Sequence, residues 1–289
     1  MTAEDEALPE PRRRSRAELD ALAAPALAQS ISGLGMLAGA ANVIMQLANP
    51  AVGYGVVESK VDSGNIYKHP FKRTRTTLTY IAVAVLGSAD DRRLYRQAVN
   101  ESHRHVRSGP QSPVQYNAFS VDLQLWVAAC LYKGFEDIHL TLTGPLGDRA
   151  AQFYRDGAVF GTTLQVPYEA WPEDRAAFER YWQTGLAAIA IDDTVGDYLR
   201  GIATLTFAPR LVSWLLGRFN LFMTTGFLPA EFRAALQLPW DPARQKRFDR
   251  AMRFFRAINR WLPAIVRRFP FNFFLWDLRR RVRRNSSLV

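Results

Sequence analysis

Cysteine is nearly missing from this 289-residue chain, which contains only Cys130. A single cysteine excludes an internal disulfide framework, and it excludes zinc or iron–sulfur sites built from several thiolates. The apolar stretch LWVAACLY surrounds Cys130, so we expect this thiol to pack in the core. With 48% apolar residues, the chain has enough hydrophobic material for a large core.

An N-terminal apolar signal segment is missing as well. The first twenty residues are rich in charge, which is untypical of a secretory signal and leads us to expect a cytoplasmic protein. Residues 21–57 carry no charge and could reach across a bilayer by length. Two prolines and four amide side chains interrupt this stretch: Pro25, Pro50, Gln29, Asn42, Gln46 and Asn49. The pattern favours buried helices over a transmembrane span.

The common catalytic and metal-binding motifs are also missing. The sequence has no HExxH, no pair of histidines four residues apart and no carboxylate-rich calcium loop. It has no GxSxG, no Walker A motif and no GxGxxG after a strand. Asp192 and Asp193 are adjacent, and neighbouring residues of a helix point about 100° apart, so we interpret them as surface charges.

Positive charge is concentrated near the end of the chain. Residues 244–284 contain 14 arginines and lysines against two aspartates, a net charge of +12, whereas the whole chain carries +10. The segment 241–269 reads as a basic amphipathic helix. It is either a core-packing helix with a solvated arginine face or, together with the tail RRRVRRNSSLV, a contact for an anionic membrane surface. No nucleic-acid reading motif accompanies it, so we predict no nucleic-acid partner.

Helical periodicity dominates the sequence, and strand-like alternation is scarce, which predicts an all-α protein. We expect a flexible leader over residues 1–17, one helical domain over 18–269 and a basic C-terminal tail over 270–289. Ser88 and Ser120 are plausible helix N-caps, and Gly87 is a plausible helix stop.

Two of the four histidines, His103 and His105, lie near the end of the helix that Ser88 would begin. On that helix His103 shares a stripe with Tyr95 and Val99, whereas His105 points about 200° away. His103 is therefore the one expected to face inward. An inward histidine is either a hydrogen-bonded core residue or a ligand, and the residue pattern leaves both open.

Six blocks of sequence, taken in order, resemble the MpaB-type oxygenase family, which includes the rubber oxygenases called latex-clearing proteins. The resemblance covers roughly residues 30–265. The blocks are IMQLANPAVGYGVVES, HPFKRTRTTLTYIAVAVLG, HRHVRSG, YNAFSVDLQLWVAACLY, VPYEAWPEDRAAFERYW and LPAEFRAALQLPWDP.

The resemblance implies a mostly helical domain that encloses one haem b. It implies that His103 is the iron ligand, and that Arg73 and Thr77 form the family's Arg-x-x-x-Thr pattern at the start of an earlier helix. Arg73 would pair with a haem propionate, and Thr77 would lie near the other side of the iron. Where rubber oxygenases have a lysine that can ligate iron, this chain has Thr76, which favours an open or water-bound position.

The function expected from the resemblance is a haem b-dependent oxygenase that acts with dioxygen on a hydrophobic, isoprenoid or lipid-like substrate. An electron donor is also implied and is not identified. Aromatic residues were the candidates for the substrate pocket: Tyr80, Phe119, Trp126, Phe153 and Phe160. The alternative is a non-catalytic helical protein that binds anionic membrane surfaces through its basic C-terminal helix and tail.

Overall fold

Helices make up the secondary structure of the computed structural model, which describes residues 13–59, 61 and 64–289. Within these residues there is no β-strand, and an isolated bridge joins Arg107 to Asn117. The all-α prediction is confirmed. The helices are α1 (Arg16–Asp20), α2 (Pro25–Ser30), α3 (Gly39–Leu47), α4 (Pro50–Val57), α5 (Pro70–Leu86), α6 (Ala89–His103), α7 (Val121–Leu142), α8 (Ala150–Asp156), α9 (Val159–Thr162), α10 (Arg175–Ala187), α11 (Asp193–Thr204), α12 (Arg210–Phe227), α13 (Ala230–Ala235), α14 (Pro242–Trp261), α15 (Ala264–Arg267) and α16 (Phe271–Arg283).

Local sequence signals explain where the helices around the site begin and end. Pro70 lies in the first turn of α5, where its missing N–H costs no helical hydrogen bond. Gly87 ends α5, as predicted. Ser88 then caps α6 in a capping box, in which its hydroxyl accepts from the Asp91 N–H at 3.2 Å and the Asp91 carboxylate accepts from the Ser88 N–H at 2.9 Å. Ser120 caps α7 as predicted.

The uncharged stretch 21–57 forms buried helices inside the bundle, as the sequence predicts. It divides into α2, a 3₁₀ helix (Gly33–Ala38), α3 and α4, and Leu27 and Ile44 are fully buried. The buried Asp156 carboxylate accepts the Ala26 N–H at 2.7 Å and so caps the start of α2. Among the described residues no single helix could span a membrane, and the segments 16–30 and 33–47, which together have the length and composition, bend by 92° where they meet.

Helix α7 runs through the core and contacts α3, α9 and α14. Its central residues are buried, including Cys130, whose predicted core position is confirmed. Burial raises the pKa of the Cys130 thiol, which keeps it neutral and unreactive. The ring of Tyr132 on α7 packs against the rings of Phe153 and Phe178.

The two chain ends differ from the sequence-based boundaries. Residues 1–12 of the predicted leader lie outside the described residues, but α1 begins within the rest of it, at Arg16. In α1 the buried Asp20 carboxylate accepts from the Arg96 guanidinium of α6, with one N–O distance of 2.7 Å. This buried ion pair makes α1 part of the domain.

The segment 270–289, predicted as a separate basic tail, instead contains helix α16, which packs lengthwise on α5. Phe271, Leu275 and Leu278 supply a buried stripe at helical spacing. Arg279 pairs with Asp91 at the start of α6, with an N–O distance of 2.8 Å. The many arginines concealed this apolar stripe, so the sequence did not predict a packed helix beyond residue 269. The amphipathic helix predicted over 241–269 is confirmed in α14, whose Phe248 and Met252 are buried.

Candidate functional site

A cavity of about 280 Å³ lies among helices α4, α5, α6 and α7. This volume is close to the lower end of the range of roughly 300–1,000 Å³ that is typical of small-molecule pockets. Most of its lining is apolar, and the aliphatic and aromatic side chains include Leu47, Val52, Ile81, Val99, Leu131 and Phe160. The arrangement suits a largely apolar ligand.

His103, the last residue of α6, lines this cavity, whereas His105 is exposed. The expectation that His103 is the inward histidine is confirmed. Its Nδ1 is enclosed and has no hydrogen-bond partner among the described residues. Burial, followed by the nearby positive charge of Arg73, lowers the pKa of His103 to about 4. The imidazole is therefore neutral at pH 7, the form that can bind a metal.

Helix α5 contributes two parallel rows of side chains to the same cavity. Arg73, Thr77 and Ile81 form one row, and Lys72, Thr76 and Tyr80 form the other. The Thr77 hydroxyl donates to the Arg73 carbonyl at 3.1 Å, and the Thr76 hydroxyl donates to the Lys72 carbonyl at 2.9 Å. Since their hydrogens point to the helix backbone, both hydroxyl oxygens are left as acceptors. Arg73, Thr77 and His103, the three residues singled out from the sequence, thus meet at one cavity.

The polar side chains of the cavity are cationic or neutral. Lys72 and Arg73 are cationic, and no aspartate or glutamate occurs among the described residues that line it. Two cations without a carboxylate partner in an apolar cavity suit a ligand that carries anionic groups. Sequence reasoning missed Lys72, although it precedes Thr76 by one helical turn, as Arg73 precedes Thr77.

Two of the five aromatic pocket candidates line the cavity, Tyr80 and Phe160. The Tyr80 hydroxyl donates to the Phe160 carbonyl, which joins α5 to α9. Phe119 sits edge-on to the His103 ring, with ring centroids 6.3 Å apart, and is not in the cavity wall.

The remaining two candidates, Trp126 and Phe153, belong to the core. The Trp126 ring stacks on Trp182 at 5.3 Å, and Phe153 is fully buried beside Tyr132. Their assignment to the pocket is wrong, because packing between distant segments decides which side of a buried helix faces a cavity. Tyr95, which also lines the cavity, was missed as a pocket residue, and its hydroxyl donates to the Thr76 carbonyl at 2.6 Å.

A second buried imidazole, His139 on α7, shows the other outcome for an inward histidine. It is 2% exposed, both of its nitrogens lack a hydrogen-bond partner among the described residues, and it packs against Phe153. It does not line the cavity. His139 is therefore a core residue, and the cavity distinguishes His103 from it.

Groups of three or more histidine, cysteine or carboxylate side chains placed to hold a metal ion are absent from the part of the chain that the structure describes.

Comparison with known proteins identifies the family of this chain. Residues 29–257 match the family described as "ER-bound oxygenase mpaB/B'/Rubber oxygenase, catalytic domain". The chain belongs to this oxygenase family. An uncharacterized protein of Mycobacterium tuberculosis is 53% identical over 255 residues, which cover 88% of this chain and all of the relative. An uncharacterized protein of Mycobacterium bovis is similar to the same extent. No solved structure matches the chain significantly.

The oxygenase match places the cavity within the family's catalytic domain, because α4 to α7 lie inside residues 29–257. Helices α15 and α16 lie beyond the matched residues. Helix α16 nevertheless packs on α5, the helix that carries Arg73 and Thr77.

Proposed function

We propose that this member of the oxygenase family is a haem b-dependent enzyme that uses dioxygen to oxidise a hydrophobic, isoprenoid or lipid-like substrate. Its reducing equivalents come from a separate electron donor. The observation that carries the proposal is the neutral His103 imidazole, which lines an apolar cavity with an enclosed, unpartnered nitrogen. Such a nitrogen is costly to bury unless a ligand satisfies it, and the cavity beside His103 has room for a ligand, whereas His139 packs against Phe153 and does not line that cavity.

The residues around the cavity fit a haem b in three respects. The His103 imidazole would be the protein's ligand to the haem iron. The cations of Lys72 and Arg73 can pair with the two propionates, which leaves neither charge unsatisfied. The apolar walls can cover the porphyrin plane and limit the access of water. When bound, haem supplies the iron centre for dioxygen chemistry.

Other residues of the chain position the reactants. Thr76 stands where the rubber oxygenases have lysine, so α5 offers no amine ligand at that position, and the iron of a bound haem would be open or water-bound there. The Thr77 hydroxyl oxygen, an acceptor in this arrangement, can orient a donor such as water in the cavity. Tyr80 and Ile81 extend the apolar wall along α5 and exclude water from the substrate.

The test of the proposed function is dioxygen consumption by the haem-loaded protein. A panel of isoprenoid and long-chain lipid substrates is supplied with a chemical reductant, and oxygen uptake and product mass are followed. We expect uptake that depends on substrate and on haem and that is lost in His103→Ala. His105→Ala is the matched control, because it removes an exposed imidazole two residues away. Oxidation that proceeds equally in His103→Ala would contradict the proposal.

A further inference from the structure

The end of α14 together with α15 and α16 exposes large apolar side chains to solvent. Trp261 is 83% exposed and Ile265 is 73% exposed. Single exposed apolar residues are ordinary, but a group of them is rare on a monomer surface and marks an interaction site. We call this group the C-terminal aromatic patch, and it consists of Trp261, Ile265, Val266, Phe269, Phe273 and Trp276.

The later members of the patch are held next to one another. The Phe273 ring lies 6.3 Å from the Phe269 ring and 5.7 Å from the Trp276 ring, measured between centroids. The Asn272 side chain donates to the Ile265 carbonyl at 2.9 Å and so ties α15 to the start of α16. The patch is therefore a fixed surface of the fold.

Arginines surround the patch, and acidic residues are missing from it. The segment 250–276 contains six arginines and neither aspartate nor glutamate. In the part of the chain that the structure describes, no carboxylate pairs with Arg260, Arg267 or Arg268. Arg280 lies over the Trp276 ring, 5.6 Å from its centroid. A second copy of this surface would meet it with like charge, which disfavours self-association through the patch.

We propose that the C-terminal aromatic patch docks this protein on the surface of an anionic lipid bilayer. Tryptophan and phenylalanine insert at the boundary between headgroups and acyl chains, while flanking arginines bind anionic headgroups. Aliphatic Ile265 and Val266 add apolar area that a bilayer accommodates and that stacking on nucleic-acid bases does not use.

Of the arginines that the sequence suggested for membrane contact, the structure pairs two of the tail within the fold. Arg279 is paired with Asp91, and Arg281 is paired with Asp277 at 2.6 Å. These two cations of the tail therefore form ion pairs within the fold. Arg260, Arg267 and Arg268, which have no carboxylate partner among the described residues, lie instead next in sequence to the exposed Trp261, Val266 and Phe269.

Docking in this orientation would bring the lipid surface close to the cavity. The inner face of α16 packs on α5, whose side chains form one cavity wall, so two helices, each roughly 10 Å across, lie between the patch and the cavity. An apolar substrate dissolved in the bilayer would then have a short path to the site. This consequence rests on the proposed function, whereas the docking itself does not.

The test is co-sedimentation of the full chain with vesicles of phosphatidylcholine mixed with phosphatidylglycerol, compared with pure phosphatidylcholine. We expect binding to the mixed vesicles that weakens as salt is raised. Arg267→Gln combined with Arg268→Gln should weaken binding about 25-fold, since each arginine near an anionic surface contributes roughly a fivefold factor. Arg180→Gln combined with Arg210→Gln changes two exposed arginines outside the patch and should leave binding unchanged.

The aromatic contribution is tested with Trp261→Ser combined with Trp276→Ser, both at exposed positions. Phe71→Ser on α5 is the matched control, since this ring is 81% exposed and lies outside the patch. Loss of binding in the double variant alone supports the proposal, and equal loss in the control overturns it.

Two further measurements separate the alternatives. A single-stranded oligonucleotide bound more tightly than the mixed vesicles, or a dimer in solution that the double variant abolishes, would assign the patch to another partner and overturn the proposal. His103→Ala should bind vesicles as the wild type does, so failure of the haem proposal and failure of docking are distinguishable.

Discussion

His103→Gln should make the stability of the haem-free protein less sensitive to mild acid. The pKa of His103 falls from 6.5 to about 4 on folding because burial and the charge of Arg73 disfavour its protonated form. Between pH 6.5 and about pH 4 the unfolded chain therefore binds a proton at His103 that the folded chain does not bind. The stability that the neutral imidazole contributes is complete above pH 6.5 and is lost as the pH falls toward 4.

The magnitude follows from the two pKa values. At pH 5 the unfolded histidine is almost fully protonated and the folded one largely is not, which costs about 2 kcal/mol of unfolding free energy relative to pH 7. The part of the ring that solvent reaches reduces this figure. In His103→Gln this contribution is absent, so its loss of stability between pH 7 and pH 5 should be smaller than that of the wild type by about this amount.

Urea unfolding followed by circular dichroism at pH 7 and pH 5 measures the difference directly. Carboxylates titrate in the same range, but they are common to both proteins and cancel in the comparison. His105→Gln, which removes an exposed imidazole, should follow the wild type. Parallel loss of stability in the wild type and in His103→Gln would refute the reasoning, because the His103 imidazole would then be accessible to protons in the folded protein.

Three further predictions concern the cavity and the domain boundary. Arg73→Leu and Lys72→Met should each weaken haem binding tenfold or more in a spectroscopic titration, because each removes a charge-assisted contact worth roughly 1.5–3 kcal/mol; unchanged affinity would show that neither cation meets a propionate. Thr77→Val keeps the shape of the side chain without its hydroxyl oxygen, so it should slow oxygen uptake and leave haem affinity unchanged; equal turnover would remove Thr77 from the site. Arg96→Ala leaves the buried Asp20 carboxylate without its partner and should lower the free energy of unfolding by about 3–5 kcal/mol, measured in urea at pH 7. Arg180→Ala, at an exposed position, should lower it little. A negligible loss in Arg96→Ala would mean that α1 is not bound to the domain.

Local sequence signals predicted the parts of the site that depend on helix phase. Ser88 set the start of α6, and the spacing from Tyr95 to His103 then placed the imidazole on the inner side. The family resemblance singled out Arg73 and Thr77, and their spacing of one helical turn then puts them on one row of α5. These inferences succeeded because helical geometry relates residues a few positions apart without reference to the rest of the fold.

The features that sequence reasoning missed depend on packing between distant segments. The sequence predicts Trp126 and Phe153 in the pocket, but in the structure they pack in the core against Trp182 and Tyr132 respectively. Helix α16 was hidden by its arginines, and only its contact with α5 reveals the apolar stripe of Phe271, Leu275 and Leu278. Pairings between segments almost 200 residues apart leave no periodic trace in either segment.

The most direct test of the account is a haem titration of the purified chain followed by the Soret absorption band. The account predicts one haem bound per chain in the wild type and in His105→Ala, with a band typical of histidine-ligated iron, and loss or displacement of that band in His103→Ala. A wild-type protein that stays colourless in excess haem, or an identical Soret band in His103→Ala, would contradict it.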